Sequence, residues 1–167
     1  DGGFIVVANH LTDLDSLTAM RTLVDADIPV YSLAKASLFK VPVVGQVLAA
    51  GGQIPVQRGT AHATDALAEA AKRLQEGSCV IIFPEGTLSR DPLKWPMVGK
   101  TGAARLAMQS GVPVIPMGQW GAHFILDTYS HHLKLGKRKD VRVKIGPALD
   151  LSQYGSDIED RQKVREC

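Results

Sequence analysis

His10 and Asp15 are residue types that, when held together, form a general base with an orienting carboxylate. A neutral imidazole accepts a proton from a hydroxyl group near pH 7. An aspartate that hydrogen-bonds the second ring nitrogen fixes the tautomer and stabilises the imidazolium that forms. The chemistry indicated by this pair is therefore removal of a proton from a substrate hydroxyl.

The five-residue spacing of this pair requires a turn. Along a regular helix it corresponds to about 500°, which leaves the side chains about 140° apart. Along a strand it places them on opposite faces, about 16 Å apart. The sequence favours a turn here, because residues 3–8 have a strand pattern and residues 15–24 a helical pattern. Thr12 and Asp13 between them are good N-cap residues.

A second interpretation of the same stretch needs no catalysis. The spacing from Thr12 to Asp15 resembles a capping box, with aspartate in place of glutamate. Asp15 would then cap a helix, and His10 would be an ordinary polar loop residue. Under the first interpretation, His10 lies at the carboxyl end of a strand, where open α/β sheets place their sites.

The composition limits the classes of protein. The 167 residues suit one domain, and 45% hydrophobic with 22% charged residues is ordinary for a globular chain. A net charge of +2 and only 5% aromatic residues argue against a nucleic-acid partner. The two cysteines, Cys79 and Cys167, form no disulfide framework, and a reducing compartment is expected.

Apolar runs alternate with helical patterns along the chain. Strands are predicted at 4–7, 30–34, 53–56, 79–83, 112–117 and 141–145, and helices at 15–24, 42–50, 61–76 and 99–110, with a polar helix or tail at 157–166. This alternation is typical of βαβ units. It predicts a single α/β domain over residues 1–167, with a mostly parallel central sheet flanked by helices.

Charged and polar side chains follow the predicted strands. His10 and Asp15 follow the first strand, and the next three strands are followed by Lys35, by Arg58, and by Glu85 with Arg90. These positions would share one edge of a parallel sheet. A base beside several cations indicates a substrate with both a hydroxyl and an anionic group such as phosphate, which arginine and lysine bind well.

Four motifs in this order resemble the glycerolipid acyltransferase family, which includes 1-acyl-glycerol-3-phosphate acyltransferases. They are Asn9-His10-x4-Asp15, Gly52-x-Ile54-x3-Arg58, Phe83–Thr87 and Val112–Pro116, joined by a similar segment at 100–104. The resemblance extends from Phe4 to Pro147. One position departs from it, because Leu88 stands where the family commonly has arginine, and Arg90 follows two residues later.

The resemblance implies a reaction and a set of roles. His10 would take the proton from the acceptor hydroxyl, Asp15 would orient His10, and the oxygen would attack an acyl thioester without a covalent enzyme intermediate. The acceptor's glycerol phosphate would be bound by Lys35, Arg58, Glu85, Gly86, Thr87, Arg90 and Lys100. Val112–Pro116 would contribute to acyl-chain or donor binding.

The same resemblance implies the partners and the location. The acceptor would be a lysophosphatidic acid, converted to phosphatidic acid in phospholipid biosynthesis, and the donor an acyl-coenzyme A or acyl carrier protein thioester, with no further cofactor and no metal. Glycerol 3-phosphate or another lysolipid stays open as the acceptor. The expected location is the cytoplasmic face of the cell membrane, with a membrane-associating segment preceding Asp1.

Two stretches are candidates for contact with a membrane surface. Residues 38–50 are apolar, and a basic run contains Lys134, Lys137, Arg138, Lys139, Arg142 and Lys144. The alternative is that the first is a core helix and the second a solvated hairpin. No apolar run approaches the roughly 20 residues of a transmembrane helix, and no signal peptide is visible.

Other classes of function fit the sequence less well. His10, Asp13 and Asp15 could ligate a metal in a hydrolase, but no further cluster completes a coordination set. A lipid-binding protein without catalysis is the third alternative. The P-loop motif lacks its first glycine, since Lys94 stands there, and no Gly-x-Ser-x-Gly motif of a serine hydrolase is present.

Overall fold

Strand β1 (Phe4–Ala8) lies at the centre of a six-stranded sheet in the computed structural model, which describes residues 2–57 and 63–167. The other strands are β2 (Val30–Lys35), β3 (Ile54–Val56), β4 (Cys79–Ile82), β5 (Val114–Trp120) and β6 (Arg142–Ile145). Their spatial order is β3-β2-β4-β1-β5-β6. All neighbouring pairs are parallel except β5 with β6, which is antiparallel.

Helices cover both faces of this sheet. They are α1 (Asp15–Val24), α2 (Val44–Ala50), α3 (Ala63–Gln75), α4 (Gly102–Ser110) and α5 (Arg161–Glu166). One face packs against α3 and α4 in a cluster that includes Ile5 and Leu106. The other face packs against α1 in a cluster that includes Val6 and Leu23. Burial on both faces explains why the central strands are continuous apolar runs.

The parallel pairing determines where polar loops meet. Because β1 to β5 run in the same direction, their carboxyl ends lie along one edge of the sheet. Open α/β sheets bind ligands at this edge. The loops that follow β1 and β4 carry His10 and Glu85, and Lys35 is the last residue of β2.

The fold class predicted from the sequence is confirmed, and the boundaries differ in informative places. Helix α1 spans the predicted residues, but α4 begins at Gly102 rather than at 99. The Lys100 N–H donates to the carbonyl oxygen of Pro84 (2.7 Å), which ties the preceding segment to the end of β4. Strand β5 continues to Trp120 because its last residues pair with β6, Trp120 opposite Arg142.

Residues 38–50 do not form a core helix. They comprise the end of a 3-10 helix (Ala36–Lys40) and then α2, and within 38–50 only Gly45 is buried. Val43 is 68% exposed and Val47 is 64% exposed. This segment follows β2 and therefore projects from the same edge of the sheet as His10. Within the parts of the chain that the structure describes, no helix has the length and hydrophobicity needed to span a bilayer.

Replacing Gly121 with alanine tests how tightly the end of β5 packs on the segment that leads into β6. Gly121 has a φ of +110°, and an added Cβ would collide with the carbonyl oxygen of Asp140. We expect Gly121→Ala to lower the free energy of unfolding by about 1–3 kcal/mol, because both the backbone conformation and the contact oppose a side chain. Urea denaturation monitored by circular dichroism measures this change.

Gly118→Ala is the matched control. Gly118 lies in β5, three residues before Gly121; its φ is not positive, and nothing lies within 4 Å of an added Cβ. Its free energy of unfolding should change by no more than about 0.5 kcal/mol. Equal stabilities of the two variants would contradict the close packing described for Gly121.

Candidate active site

The turn between β1 and α1 brings His10 and Asp15 together. His10 Nδ1 lies 3.4 Å from Asp15 Oδ2, and the two residues are only 8% and 2% exposed. The same carboxylate oxygen accepts hydrogen bonds from the backbone N–H groups of Leu11 and of Thr12, the latter at 2.7 Å. The carboxylate therefore fixes the turn and faces the imidazole at the same time.

Both interpretations of Asp15 from the sequence are partly correct. The hydrogen bond from the Thr12 N–H to the Asp15 carboxylate has the form of the carboxylate contact in a capping box. The N-cap position of α1, however, is Leu14, and no side chain caps the helix. The prediction of Thr12 or Asp13 as N-cap is wrong, because the Thr12 hydroxyl instead donates to the carbonyl oxygen of Leu126 (2.8 Å). Asp13 is exposed and pairs with His131 (3.0 Å).

The His10 ring is held by one further contact. It stacks on Phe83 at the end of β4, with ring centroids 4.3 Å apart and planes inclined by 26°. Since Nδ1 faces the Asp15 carboxylate, the hydrogen-bond network assigns the proton to Nδ1 and leaves Nε2 with its lone pair. This is the tautomer that a general base requires.

Glu85 positions the backbone of His10. Its carboxylate is buried, and one oxygen accepts the His10 N–H (3.2 Å) while the other accepts the Met97 N–H (3.0 Å). The Ser89 N–H donates to the His10 carbonyl oxygen (2.7 Å). These contacts join the loop after β1 to residues 89–97. The sequence predicts Glu85 as a ligand of the acceptor; its described contacts are to the protein backbone.

Asn9 forms a second polar connection, whose partner the sequence did not reveal. Its side-chain amide donates to the Gln119 carbonyl oxygen (3.0 Å) and accepts the Gln119 N–H (2.8 Å). The Gln119 side chain in turn lies 2.6 Å from the Thr18 hydroxyl on α1. The network links β1, β5 and α1 around the turn that holds His10 and Asp15. Gln119 is 110 positions from Asn9, and no local pattern marks such a pair.

A small cavity of about 290 Å³ lies at the carboxyl ends of β2, β3 and β4. Its lining includes Phe83, Gly86, Lys100 and Arg105. Gly86 has a φ of +64°, and a Cβ there would lie 3.0 Å from Lys100 Nζ. The structure therefore brings together two of the residues predicted to bind the acceptor, Gly86 and Lys100. Arg105, one turn into α4, was not predicted from the sequence.

The other predicted ligands are distributed along the same edge. Lys35 is exposed at the end of β2, and Arg90 is exposed, with its N–H 3.3 Å from Met97 Sδ; neither lines the small cavity. Thr87 is half-buried. Arg58 lies outside the described residues. The roles assigned to all of these residues stay predictions.

A larger groove of about 1250 Å³ runs along β5 and β6. Its lining is mostly apolar and includes Val7, Leu93, Trp95, Met97, Pro116, Met117, Trp120 and Val143. Asn9, which precedes His10, and Glu85, which accepts the His10 N–H, also line it. Lys94 lines it as well; its ammonium donates to Thr128 Oγ1 (3.1 Å) and lies 4.5 Å from the centre of the Tyr129 ring.

A second buried histidine lies beside this groove's aromatic wall. The His123 ring packs 4.6 Å from the ring of Trp120 and 4.1 Å from that of Phe124. Its Nδ1 is buried without a hydrogen-bond partner among the described residues. Burial lowers the pKa of His123, and the nearby charge of Lys94 lowers it further. The His123 ring is therefore mostly neutral near pH 7.

The arrangement places one base between two different environments. The small cationic cavity adjoins β3, β2 and β4, the base follows β1, and the apolar groove adjoins β5 and β6. Such a site can remove a proton from a hydroxyl while an anionic group is held on one side and an apolar chain on the other. Within residues 2–57 and 63–167, no group of three or more His, Cys, Asp or Glu side chains is placed to hold a metal ion.

Comparisons with known proteins place this chain in a family. The acyltransferase family model matches residues 1–120, a range that contains both His10 and Asp15. The 1-acyl-sn-glycerol-3-phosphate acyltransferase of Escherichia coli is 33% identical over 162 residues, which cover 93% of this chain and 60% of that protein. The chloroplastic 1-acyl-sn-glycerol-3-phosphate acyltransferase BAT2 of Brassica napus is 31% identical, over 97% of this chain and 45% of that protein.

A solved structure agrees with these relatives. The crystal structure of the 1-acyl-sn-glycerophosphate acyltransferase PlsC from Thermotoga maritima matches with a TM-score of 0.70 and 29% identity. The match covers 99% of this chain and 63% of that one. The chain thus spans about half to two thirds of the length of these relatives. On the match of the family model, the chain belongs to the acyltransferase family.

Proposed function

We propose that this chain forms the catalytic part of a 1-acyl-sn-glycerol-3-phosphate acyltransferase. It would move a fatty acyl group from a thioester to the free hydroxyl of lysophosphatidic acid and yield phosphatidic acid for phospholipid biosynthesis. The observation that carries the proposal is the buried His10–Asp15 pair between a cationic cavity and an apolar groove. The names of the E. coli and Brassica napus relatives support the same reaction.

The reaction begins with proton removal by His10. Nε2 takes the proton of the acceptor hydroxyl while its oxygen attacks the thioester carbonyl carbon, and Asp15 stabilises the imidazolium. The tetrahedral intermediate then expels the thiolate, which receives the proton from Nε2. Among the described residues, the backbone N–H groups of Thr87 and Leu88 have no protein acceptor. They are available to an oxyanion or a phosphate oxygen.

Direct transfer in a ternary complex fits the residues of the site. The Cys79 thiol is buried within β4, and burial raises its pKa to about 12, so it is no nucleophile. The acceptor phosphate would bind in the small cavity beside Gly86 and Lys100, with Lys35, Arg58 and Arg90 as further candidates. The acyl donor would lie in the larger groove, which Pro116 of the Val112–Pro116 motif lines.

The identity of the substrates extends this proposal. The donor would be an acyl-coenzyme A or an acyl carrier protein thioester, with no additional cofactor. A lysophosphatidic acid has both the hydroxyl and the phosphate that the two sides of the site require, and glycerol 3-phosphate is the alternative acceptor. Since a lysophospholipid resides in a bilayer, we place the protein at the cytoplasmic face of the cell membrane.

Replacing the catalytic pair tests the assignment. With lysophosphatidic acid and an acyl thioester, His10→Ala and Asp15→Asn should each lower kcat by about 10² to 10⁴-fold, because a general base and its orientation are lost. Both variants should keep the circular dichroism spectrum of the wild type. His131→Ala is the control, since this exposed histidine pairs with the exposed Asp13. A wild-type rate in His10→Ala would refute the assignment, and a panel with glycerol 3-phosphate would identify the acceptor.

The small cavity is tested by removing one charge from its lining. Lys100→Gln should raise KM for lysophosphatidic acid by about tenfold and leave KM for the donor unchanged, because a charge-assisted contact to phosphate is lost. Lys72→Gln, at an exposed position on α3 outside the cavity, is the matched control. A larger effect on the donor than on the acceptor would assign the cavity to the donor.

Contact with a membrane is tested at α2. Val44→Gln with Val47→Gln should weaken co-sedimentation with lipid vesicles by about tenfold or more, because two exposed apolar side chains would no longer enter the lipid. Val24→Gln is the control, since Val24 is equally exposed but lies at the far end of α1. Unchanged binding of the double variant would rule out docking through α2.

A further inference from the structure

A third cavity, here called the distal pocket, lies beyond the large groove and has no role in the proposed chemistry. It has a volume of about 560 Å³ and is lined by Trp120, Phe124, Lys134, Lys139, Asp140 and Arg142. Three of these six residues are cationic and one is anionic. The distal pocket is formed where the end of β5 and the 3-10 helix Ala122–Phe124 meet the start of β6.

The cations of the distal pocket are only partly neutralised. Lys134 Nζ lies 3.3 Å from Asp127 Oδ2, but the other oxygen of that carboxylate already accepts two backbone N–H groups. Lys139 Nζ donates to the Lys134 carbonyl oxygen (2.8 Å). Arg142 has no ion-pair partner within the described part of the chain. A group with more than one negative charge would complete this arrangement.

Two aromatic rings in the distal pocket are partly exposed to solvent, and each packs against neighbouring rings. Trp120 is 45% exposed and Phe124 is 47% exposed, and their rings stand at 82° to each other with centroids 6.2 Å apart. The buried ring of His123 packs behind both. Exposed rings beside cations are the features that bind a nucleobase next to its phosphates.

The distal pocket is continuous with the large groove. Trp120 and Arg142, which face each other across β5 and β6, line both cavities. The groove in turn reaches Asn9 and Glu85 at the catalytic turn. A ligand with an acyl thioester near His10 could therefore extend along the groove and place its far end in the distal pocket.

We propose that the distal pocket binds the adenosine 3′,5′-phosphate end of a coenzyme A thioester, with the pantetheine arm in the large groove. This inference rests on the proposed function and selects the nucleotide thioester over acyl carrier protein as donor. A carrier protein would present carboxylates over a convex surface, and a lipid headgroup would present phosphate without a base. The pairing of exposed rings with cations in one concave site favours the nucleotide.

The binding experiment uses adenosine 3′,5′-bisphosphate and isothermal titration calorimetry. Arg142→Gln and Lys139→Gln should each weaken binding by about tenfold, because each removes a charge-assisted contact to phosphate. Phe124→Leu should weaken binding of this ligand by about tenfold through lost stacking, and leave binding of inorganic pyrophosphate unchanged. The control variant Lys137→Gln/Arg138→Gln removes two charges from the same segment outside the distal pocket and should bind like wild type.

The kinetic experiment compares two donors in detergent solution, palmitoyl-coenzyme A and palmitoyl-pantetheine, which lacks the nucleotide. Lys139→Gln, whose side chain lines the distal pocket and not the large groove, should raise KM for the first by about tenfold and leave kcat/KM for the second unchanged, because only the first reaches the pocket. Equal losses with both donors would overturn the inference. So would a loss seen only with acyl carrier protein thioesters, or only in binding to anionic vesicles.

The two experiments distinguish a failure of this inference from a failure of the proposed function. If the wild type transfers acyl groups from coenzyme A but the distal-pocket variants do so equally well, the proposed function stands and the assignment of the pocket is wrong. If no thioester is turned over while the pocket variants still lose bisphosphate binding, the pocket stands as a nucleotide site and the acyltransfer proposal is wrong.

Discussion

The buried carboxylate of Asp15 is the constraint on which the site depends. An ionised carboxylate without partners costs several kcal/mol in the interior, so the chain around it must supply donors. The N–H groups of Leu11 and Thr12 and the ring of His10 supply them. Satisfying this one charge closes the turn after β1, starts α1 and sets the tautomer of the base. Catalytic geometry and local folding therefore have the same physical cause, which is why the capping and catalytic interpretations are compatible.

Buried polar contacts, more than apolar packing, maintain this geometry at the edge of the sheet. The apolar clusters lie on the two faces of the sheet, between the strands and the helices that cover them. Beyond the strand ends, Glu85 joins the His10 backbone to Met97, and Asn9 joins β1 to Gln119. Each member has a partner, and a fully satisfied buried network is rigid, whereas a partly satisfied one is costly. Removing one member would therefore disturb the position of His10 as well as stability.

Local patterns predicted the fold class, the strand order along the chain and the turn that holds the base. Apolar periodicity over a few residues indicates that a strand or helix is present, so the sequence predicts its existence. Its ends depend on tertiary pairing and are harder to predict, as at Trp120. Contacts across long separations have no such pattern. Gln119 and Met97 emerge only when the strands are placed side by side, and the stacking of Phe83 on His10 likewise depends on the neighbouring positions of β1 and β4. Arg105 and the distal pocket could not be predicted either, because they also depend on contacts between distant parts of the chain.

The strand order explains why the base lies between a cationic and an apolar environment. The chain leaves β1 towards β2, β3 and β4 on one side, and returns to β5 and β6 on the other. Helices α3 and α4 cover the first side, and the start of α4 closes a small cavity with Lys100. Strand β6 is antiparallel and extends the sheet past these helices, so the face formed by Gly118, Trp120 and Arg142 borders an open groove. The groove and the small cavity share Pro84, next to the Phe83 ring that stacks on His10. Two substrates that approach from opposite sides of β1 would therefore meet beside His10, which suits direct transfer between them.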